Sequence, residues 1–323
     1  MKSWITVALF CACLHAQAFD LQGHRGARAL APENTLPGFA LALSLGVNTL
    51  ETDIAITRDG VLVISHDPAL NPDITRGPDG QFLTARGPVI WLTDFAELQR
   101  YDVGRLKPGS RYAALYPDQK PHDGARLPKL DDLFALVRKS GNADVRLALE
   151  TKLTPTAPDE TMAPEPFARA LIKSVRDAGF AQRTTIQSFD WRTLQVVQKE
   201  APEIGTVYLS IQRQLDNIGA GKPGTSPWTA GFGHAEHGSV PKMIKAAGGR
   251  IWSSFYGDLD AAKVKEAKAL GLTVLAWTVN DPAQIARIMD LGVDGIVSDR
   301  PDLVREEMQR RGMALPKATP VAP

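Results

Sequence analysis

From Phe19 onward the chain repeats one pattern eight times: a short apolar, β-branched run, then an amphipathic stretch of helical period. The candidate strands are 20–24, 49–56, 144–150, 184–189, 203–209, 250–255, 273–279 and 295–298. The helices between them carry their own punctuation. Leu36, Phe39, Ala40 and Leu43 recur at helical spacing, with Asn34 expected as N-cap, Pro37 in the first turn and Gly46 as the stop. Asp281-Pro282 opens a helix running to Leu291-Gly292, and Asp260 opens one ending at Leu270-Gly271. Eight strand–helix pairs call for an α/β fold of the (β/α)8 TIM-barrel type. An open doubly wound sheet is the competing arrangement. It normally carries a glycine-rich phosphate turn after its first strand, and no G-x-G-x-x-G stands there.

The alternation breaks once, after the second strand. Residues 68–127 are rich in Gly, Pro, Asp and aromatics, with one helix expected over 93–101. In a barrel such an insertion lies over the face that binds substrate. The barrel is therefore expected to span 19–312, and the Pro/Ala-rich end, 313–323, to be a disordered tail.

The first eighteen residues read differently. Met1-Lys2 precedes an apolar run over 4–14 and then His15-Ala16-Gln17-Ala18, the pattern of a secretory signal peptide cleaved after Ala18. The run is shorter than the ~20 apolar residues a membrane span requires, so no stable membrane insertion is expected. Both cysteines, Cys11 and Cys13, fall inside it, and Phe10 stands where a lipoprotein would place a small residue. The processed chain then has no disulfide and no thiolate, and loss of Lys2 leaves 36 residues of each charge. Without a basic block, nucleic acid is excluded as a partner, and a periplasmic or secreted enzyme is expected.

Barrel chemistry sits where strands end. The first strand ends in His24-Arg25-Gly26, the second carries Glu51-x-Asp53 before His66-Asp67, and the third ends in Glu150-Thr151-Lys152. Glu51 and Asp53, two apart on a strand, share a face, and Glu150 on the next strand can join them. Three carboxylates without cysteine make a hard-oxygen site for Ca²⁺ or Mg²⁺. Without a cation they would repel one another and some would protonate; the alternative is ordinary polar rim residues or ion-pair partners of Arg25 and Lys152. A pair of histidines, His24 and His66, can divide base and acid duties near neutral pH, whereas His122, His234 and His237 read as structural. Arg25 offers a planar fork for phosphate oxygens and Lys152 a point charge, so the group handled is expected to be phosphoryl.

These residues fall at a recognisable spacing. His24-Arg25-Gly26, Pro32-Glu33-Asn34-Thr35, Phe39, Gly46, Glu51-x-Asp53, Thr57-x-Asp59-Gly60, Val63 and His66-Asp67 resemble the signature of the glycerophosphodiester phosphodiesterase family. Glu150-x-Lys152, Gln187-Ser188-Phe189, Trp277-Thr278-Val279-Asn280 and the stretch from Asp294 to Pro301 continue the resemblance. It implies a (β/α)8 barrel with an insertion after the second strand, and hydrolysis of glycerophosphodiesters to glycerol 3-phosphate and an alcohol. It further implies His24 and His66 as the acid/base pair, and Glu51, Asp53 and Glu150 as ligands of the divalent ion. Arg25 and Lys152 then contact phosphate, and Trp277 is a further substrate contact. The mechanism implied has the glycerol 2-hydroxyl attack phosphorus, followed by water opening a cyclic phosphate.

Phe189, Trp252, Phe255 and Trp277 lie near strand ends, where they either wall the glycerol side or fill the barrel core. Three other functions compete. A phospholipase acting on intact membrane lipid needs exposed aromatics in the insertion, and Phe82, Trp91, Tyr112 and Tyr116 are there, flanked by charge and glycine. An exported, non-catalytic phospho-ligand binding protein has no use for two histidines. A glycosidase using Glu51 and Glu150 leaves Arg25 and the histidines without a role.

Overall fold

The structure, a computed structural model, describes residues 18–323 apart from residue 214; the expected leader lies outside the described residues up to Gln17. Nine strands form one sheet: β1 Asp20–Gly23, β2 Thr49–Ile56, β3 Leu62–Ile64, β4 Arg146–Thr151, β5 Thr184–Ser188, β6 Gly205–Ser210, β7 Ile251–Phe255, β8 Thr273–Trp277 and β9 Gly295–Ser298. Eight of them are parallel and close on themselves, since β1 pairs with both β2 and β9. That is the (β/α)8 barrel, with helices packed around it.

The alternation along β2 explains both layers. Leu50, Ile54 and Ile56 turn outward to join Leu133, Phe134 and Val137 of the helix Leu130–Lys139 in the main apolar core. Each such fully buried aliphatic side chain is worth about 1.5–3 kcal/mol. The opposite parity, Glu51 and Asp53, turns into the barrel. These inward acids are the exception that an active-site rim permits.

The ninth strand was not expected as an element of its own. β1 covers only Thr49 and Leu50 of β2, while β4 runs along β2's other edge. The remaining free edge, Ile54 to Ile56, is taken by β3 in antiparallel pairing. Its three residues are too few for periodicity to mark. The hairpin brings Ser65 N–H to the Asp53 carbonyl at 3.0 Å, and so sets His66 beside the acids of β2.

The insertion holds two short helices, Phe95–Leu98 and Arg111–Leu115, so the expected helix over 93–101 is shorter and a second one joins it. A second apolar cluster packs Leu70, Ile90, Leu98, Val103 and Leu127 of the insertion with Ala55 of β2 and Val63 of β3. Gly104 is required there, because a Cβ would lie 1.9 Å from the His122 carbonyl oxygen.

Two local expectations are corrected. Thr35, not Asn34, caps the helix Leu36–Leu45, accepting the Gly38 N–H, because the Asn34 side chain is committed to Asp53. The stretch 313–323 has no helix or strand, yet it is tied down rather than disordered. Thr319 N–H caps the Leu43 carbonyl at 2.8 Å, while Arg305 and Lys139 donate to the Pro316 and Ala322 carbonyls. Pro-rich chain loses little entropy when laid flat, so a few such bonds hold it. Among the described residues no helix is long and apolar enough to cross a membrane.

Candidate active site

At the C-terminal end of the barrel, His24, Arg25, Arg28, Glu51, His66, Glu150, Lys152 and Gln187 line one half of a cavity of about 220 Å³. Phe189, Leu209, Trp277 and Val297 are among those lining the other half. A charged wall thus faces an apolar one.

The turn after β1 builds much of the charged wall. Arg25 adopts a left-handed backbone at φ 50° and Gly26 one at φ 89°. A Cβ on Gly26 would meet the Gly38 carbonyl carbon at 2.7 Å, so glycine is obligatory. The bend aims the Arg25 N–H at Glu51 Oε2, 2.9 Å away. The Arg25 guanidinium reaches Glu33 Oε1 at 2.7 Å and Asp53 Oδ2 at 3.3 Å. Asn34, also left-handed, donates to Asp53 Oδ2 at 2.9 Å and accepts from the Thr52 hydroxyl.

Glu51, Asp53 and Glu150 come together as their strands dictate. Asp53 is the cross-strand partner of Glu150, and one ligand oxygen from each of the three acids lies within 4.8 Å of the others. All three are buried. Gln187 donates to Glu51 Oε1 at 2.7 Å, and Lys152 to Glu150 Oε1 at 2.8 Å. Asp53 Oδ1 is buried without a hydrogen-bond partner, 3.6 Å from the Lys152 ammonium. Oxygens opposite one another across Ca²⁺ are separated by about twice a 2.3–2.6 Å bond. The spacing and the orphaned oxygen therefore fit a hard divalent cation. Burial and the neighbouring Asp53 charge push the Glu51 carboxyl well above its ordinary pKa. Burial raises Glu150 to about 7 against the pull of Lys152. Asp53 is held low, since Arg25 and Lys152 outweigh its burial. The acids are thus both ion-pair partners of Arg25 and Lys152 and a coherent ligand set.

Each histidine turns Nδ1 to a carboxylate: His24 to Asp299 at 2.6 Å, His66 to Asp67 at 2.8 Å. Asp299 is in turn gripped by Arg28, at 2.8 and 3.0 Å, and by Asn280 at 2.7 Å. His24 Nε2 lies 3.9 Å from Glu51. Burial lowers the His24 pKa to about 4 and also lowers that of His66. With Nδ1 of each ring turned to a carboxylate, Nε2 is the atom left to take or give a proton.

Of the eight residues singled out from the sequence, His24, Arg25, Glu51, His66, Glu150, Lys152 and Trp277 line this cavity, and Asp53 is buried beside Glu51 and Glu150. Trp277 lies edge-on to Phe189 at 5.4 Å and donates its indole N–H to the Ser253 carbonyl. Phe255 packs on Trp277, whereas Trp252 is core, with its N–H on Ser210 Oγ. Sequence reasoning gave no site role to Asp299, Arg28, Asn34, Glu33 or Gln187. All but Arg28 stand in the stretches that resemble the family signature, and Asp299 is also one residue past β9. Tyr112 and Tyr116 face Arg28 rather than solvent, which removes two of the aromatics a lipid-binding insertion would present.

The sequence profile of the glycerophosphoryl diester phosphodiesterase family matches residues 24–303. A glycerophosphodiester phosphodiesterase of Caldanaerobacter subterraneus is 27% identical over 293 residues, covering 90% of this chain and 97% of its own. A solved structure from Silicibacter pomeroyi, classed with the same enzymes, is 34% identical with a TM-score of 0.83, covering 93% and 96% of the two chains. An Oleispira antarctica phosphodiesterase, solved with its product sn-glycerol-3-phosphate, shares the fold at 23% identity and a TM-score of 0.62, over 89% and 96%.

Proposed function

The chain belongs to the glycerophosphoryl diester phosphodiesterase family and is a phosphodiesterase acting on glycerophosphodiesters; we propose that it releases glycerol 3-phosphate by a metal-dependent, two-histidine mechanism. The observation that carries this reading is the convergence of the three acids between His24 and His66 in one cavity.

Glu51, Asp53 and Glu150 would hold the ion, Ca²⁺ or Mg²⁺. Such an ion supplies charge neutralisation and polarises phosphoryl oxygens. Arg25 and Lys152 add positive charge on the same wall, where phosphate oxygens gain charge in the transition state. The apolar wall of Phe189 and Trp277 leaves room for the organic part and excludes water from it. One neutral imidazole takes the proton of the glycerol 2-hydroxyl at Nε2 as that oxygen bonds to phosphorus. The other, protonated at Nε2, gives its proton to the departing alcohol oxygen. In the second step the roles exchange: water adds to the cyclic phosphate, its proton goes to one imidazole, and the ring oxygen takes one from the other. Asp299 and Asp67 steady each imidazolium as it forms. The Oleispira product complex supports glycerol 3-phosphate as the retained fragment.

The leader-like start, 1–18, supports action in the periplasm or outside the cell, which fractionation of expressing cells tests. Glycerol 3-phosphate release from a head-group panel, with intact phosphatidylcholine as comparator, tests the reaction. EDTA is expected to abolish turnover and Ca²⁺ or Mg²⁺ to restore it. Full activity after exhaustive chelation would reject the metal role.

A further inference from the structure

The insertion reaches the framework around His24 through the short helix Arg111–Leu115. Its Tyr112 hydroxyl accepts from Arg28 Nη1 at 3.1 Å and donates to Glu33 Oε2. Arg28 uses its remaining edge, Nε and Nη2, to grip both oxygens of Asp299, which holds His24 Nδ1. The other oxygen of Glu33 holds Arg25. Tyr116 completes the arrangement, its ring 4.8 Å from the Arg28 guanidinium and edge-on to Tyr112 at 5.3 Å. The same stretch is stapled to the turn after β1 by Gln119, which donates to the Arg28 carbonyl at 2.7 Å, and by Lys120 N–H on the Leu30 carbonyl.

We infer that Tyr112 is a positioning residue for turnover, a hydroxyl spacer that keeps Arg28 on Asp299 and so holds the His24 ring in its catalytic orientation. The inference rests on the phosphodiesterase reading and extends it to the insertion. Two carboxylates, Glu33 and Asp299, compete for Arg28. With the hydroxyl between them, Glu33 is satisfied through Tyr112 and the guanidinium fork stays on Asp299. Burial, then the Glu33 charge, raises the Tyr112 pKa above that of a free phenol, so the proton it donates stays in place. Removal of the hydroxyl alone leaves Glu33 Oε2 and Arg28 Nη1 facing each other, and the guanidinium rotates toward Glu33 at Asp299's expense.

The test compares wild type, Tyr112→Phe and Leu115→Ala in the full chain with Mg²⁺. Leu115 is an exposed residue of the same helix and serves as control. Two quantities are read: kcat and KM for glycerophosphocholine, and the His24 Nδ1–H resonance in histidine-selective ¹⁵N spectra, assigned by its loss in His24→Ala. Tyr112→Phe, which keeps the ring packing, is expected to lower kcat on the order of tenfold, with a smaller change in KM, and to move the His24 resonance. Leu115→Ala is expected to change neither. An unmoved resonance overturns the coupling to His24, and an unchanged kcat overturns the positioning role. If wild type fails to turn over this diester or any other in the panel, the phosphodiesterase reading fails, and the resonance alone then decides the coupling.

Discussion

The two histidine–aspartate pairs are chemically alike and mechanically opposite. His24 follows a barrel strand, its side chain 12% exposed, and its partner Asp299 is 1% exposed and fixed by three further hydrogen bonds from Arg28 and Asn280. His66 hangs from the end of the β3 hairpin, 34% exposed, and Asp67 is 39% exposed, with Asn71 at 2.8 Å as its one other side-chain bond. One pair is built into the scaffold, and the other stands where the insertion begins. In the proposed mechanism, one fixed histidine and one with room for substrate to enter would divide the proton work, and the difference in burial matches that division.

The comparison is broken most severely by removing the rings. His24→Ala and His66→Ala are each expected to lower kcat by about 10²–10⁴-fold while the chain stays folded, as circular dichroism and a melting curve would show. Near wild-type turnover in either, with saturating metal, would remove that ring from the mechanism. Next comes Asp299→Asn. It strips the charge that compensates a buried guanidinium, at an expected loss of about 3–5 kcal/mol in urea unfolding. A loss below about 1 kcal/mol would mean that Arg28 finds another anion, with Glu33 the nearest candidate.

Burial of His24 gives the comparison a pH dependence. Its folded pKa of about 4 lies below the ordinary 6.5, so between those values the unfolded chain binds more protons. Stability from the neutral ring is then complete above pH 6.5 and lost as pH falls toward 4. Glu150, raised to about 7, acts oppositely in the ion-free site, so wild type alone is ambiguous. The difference in unfolding free energy between wild type and His24→Ala isolates the ring. That difference is expected to shift against wild type by about 2–3 kcal/mol as pH falls from 6.5 to 4. A difference independent of pH would mean the ring titrates normally.

What the sequence disclosed follows the same line. Barrel strands and the residues at their ends were legible because both obey a fixed period: His24, Glu51, Asp53 and Glu150 stand at positions that alternation turns inward. His66 was found by its spacing, although β3, which delivers it, is only three residues long. Residues that act on other residues were harder to assign, since the stretches holding Glu33, Asn34, Gln187 and Asp299 do not show what each one holds. Arg28 lies in an irregular turn, Tyr112 in a five-residue helix with no apolar stripe, and Asn34 was expected as a cap because its conflicting bond to Asp53 joins distant segments. The tail was misread for a related reason: composition reports the absence of a hydrophobic face but not the carbonyls that Arg305 and Lys139 reach.

The smallest expected effects lie at the exposed pair. Asp67 is held near pKa 2, chiefly by its bond to His66 against a burial that pushes the other way, so it is ionised throughout the working range. Asp67→Asn keeps a carbonyl oxygen that can still accept the His66 Nδ1 proton but removes the charge that steadies the imidazolium. Solvent already screens much of that charge, so a stability loss of about 1 kcal/mol or less is expected, well under that of Asp299→Asn. Turnover is the more sensitive readout, with kcat expected to fall about three- to tenfold. Asn71→Ala should fall below that again, since it removes only the brace on Asp67. If Asp67→Asn instead destabilises the chain as much as Asp299→Asn, the pair at the insertion is scaffold too, and the contrast between a fixed and an open histidine is lost.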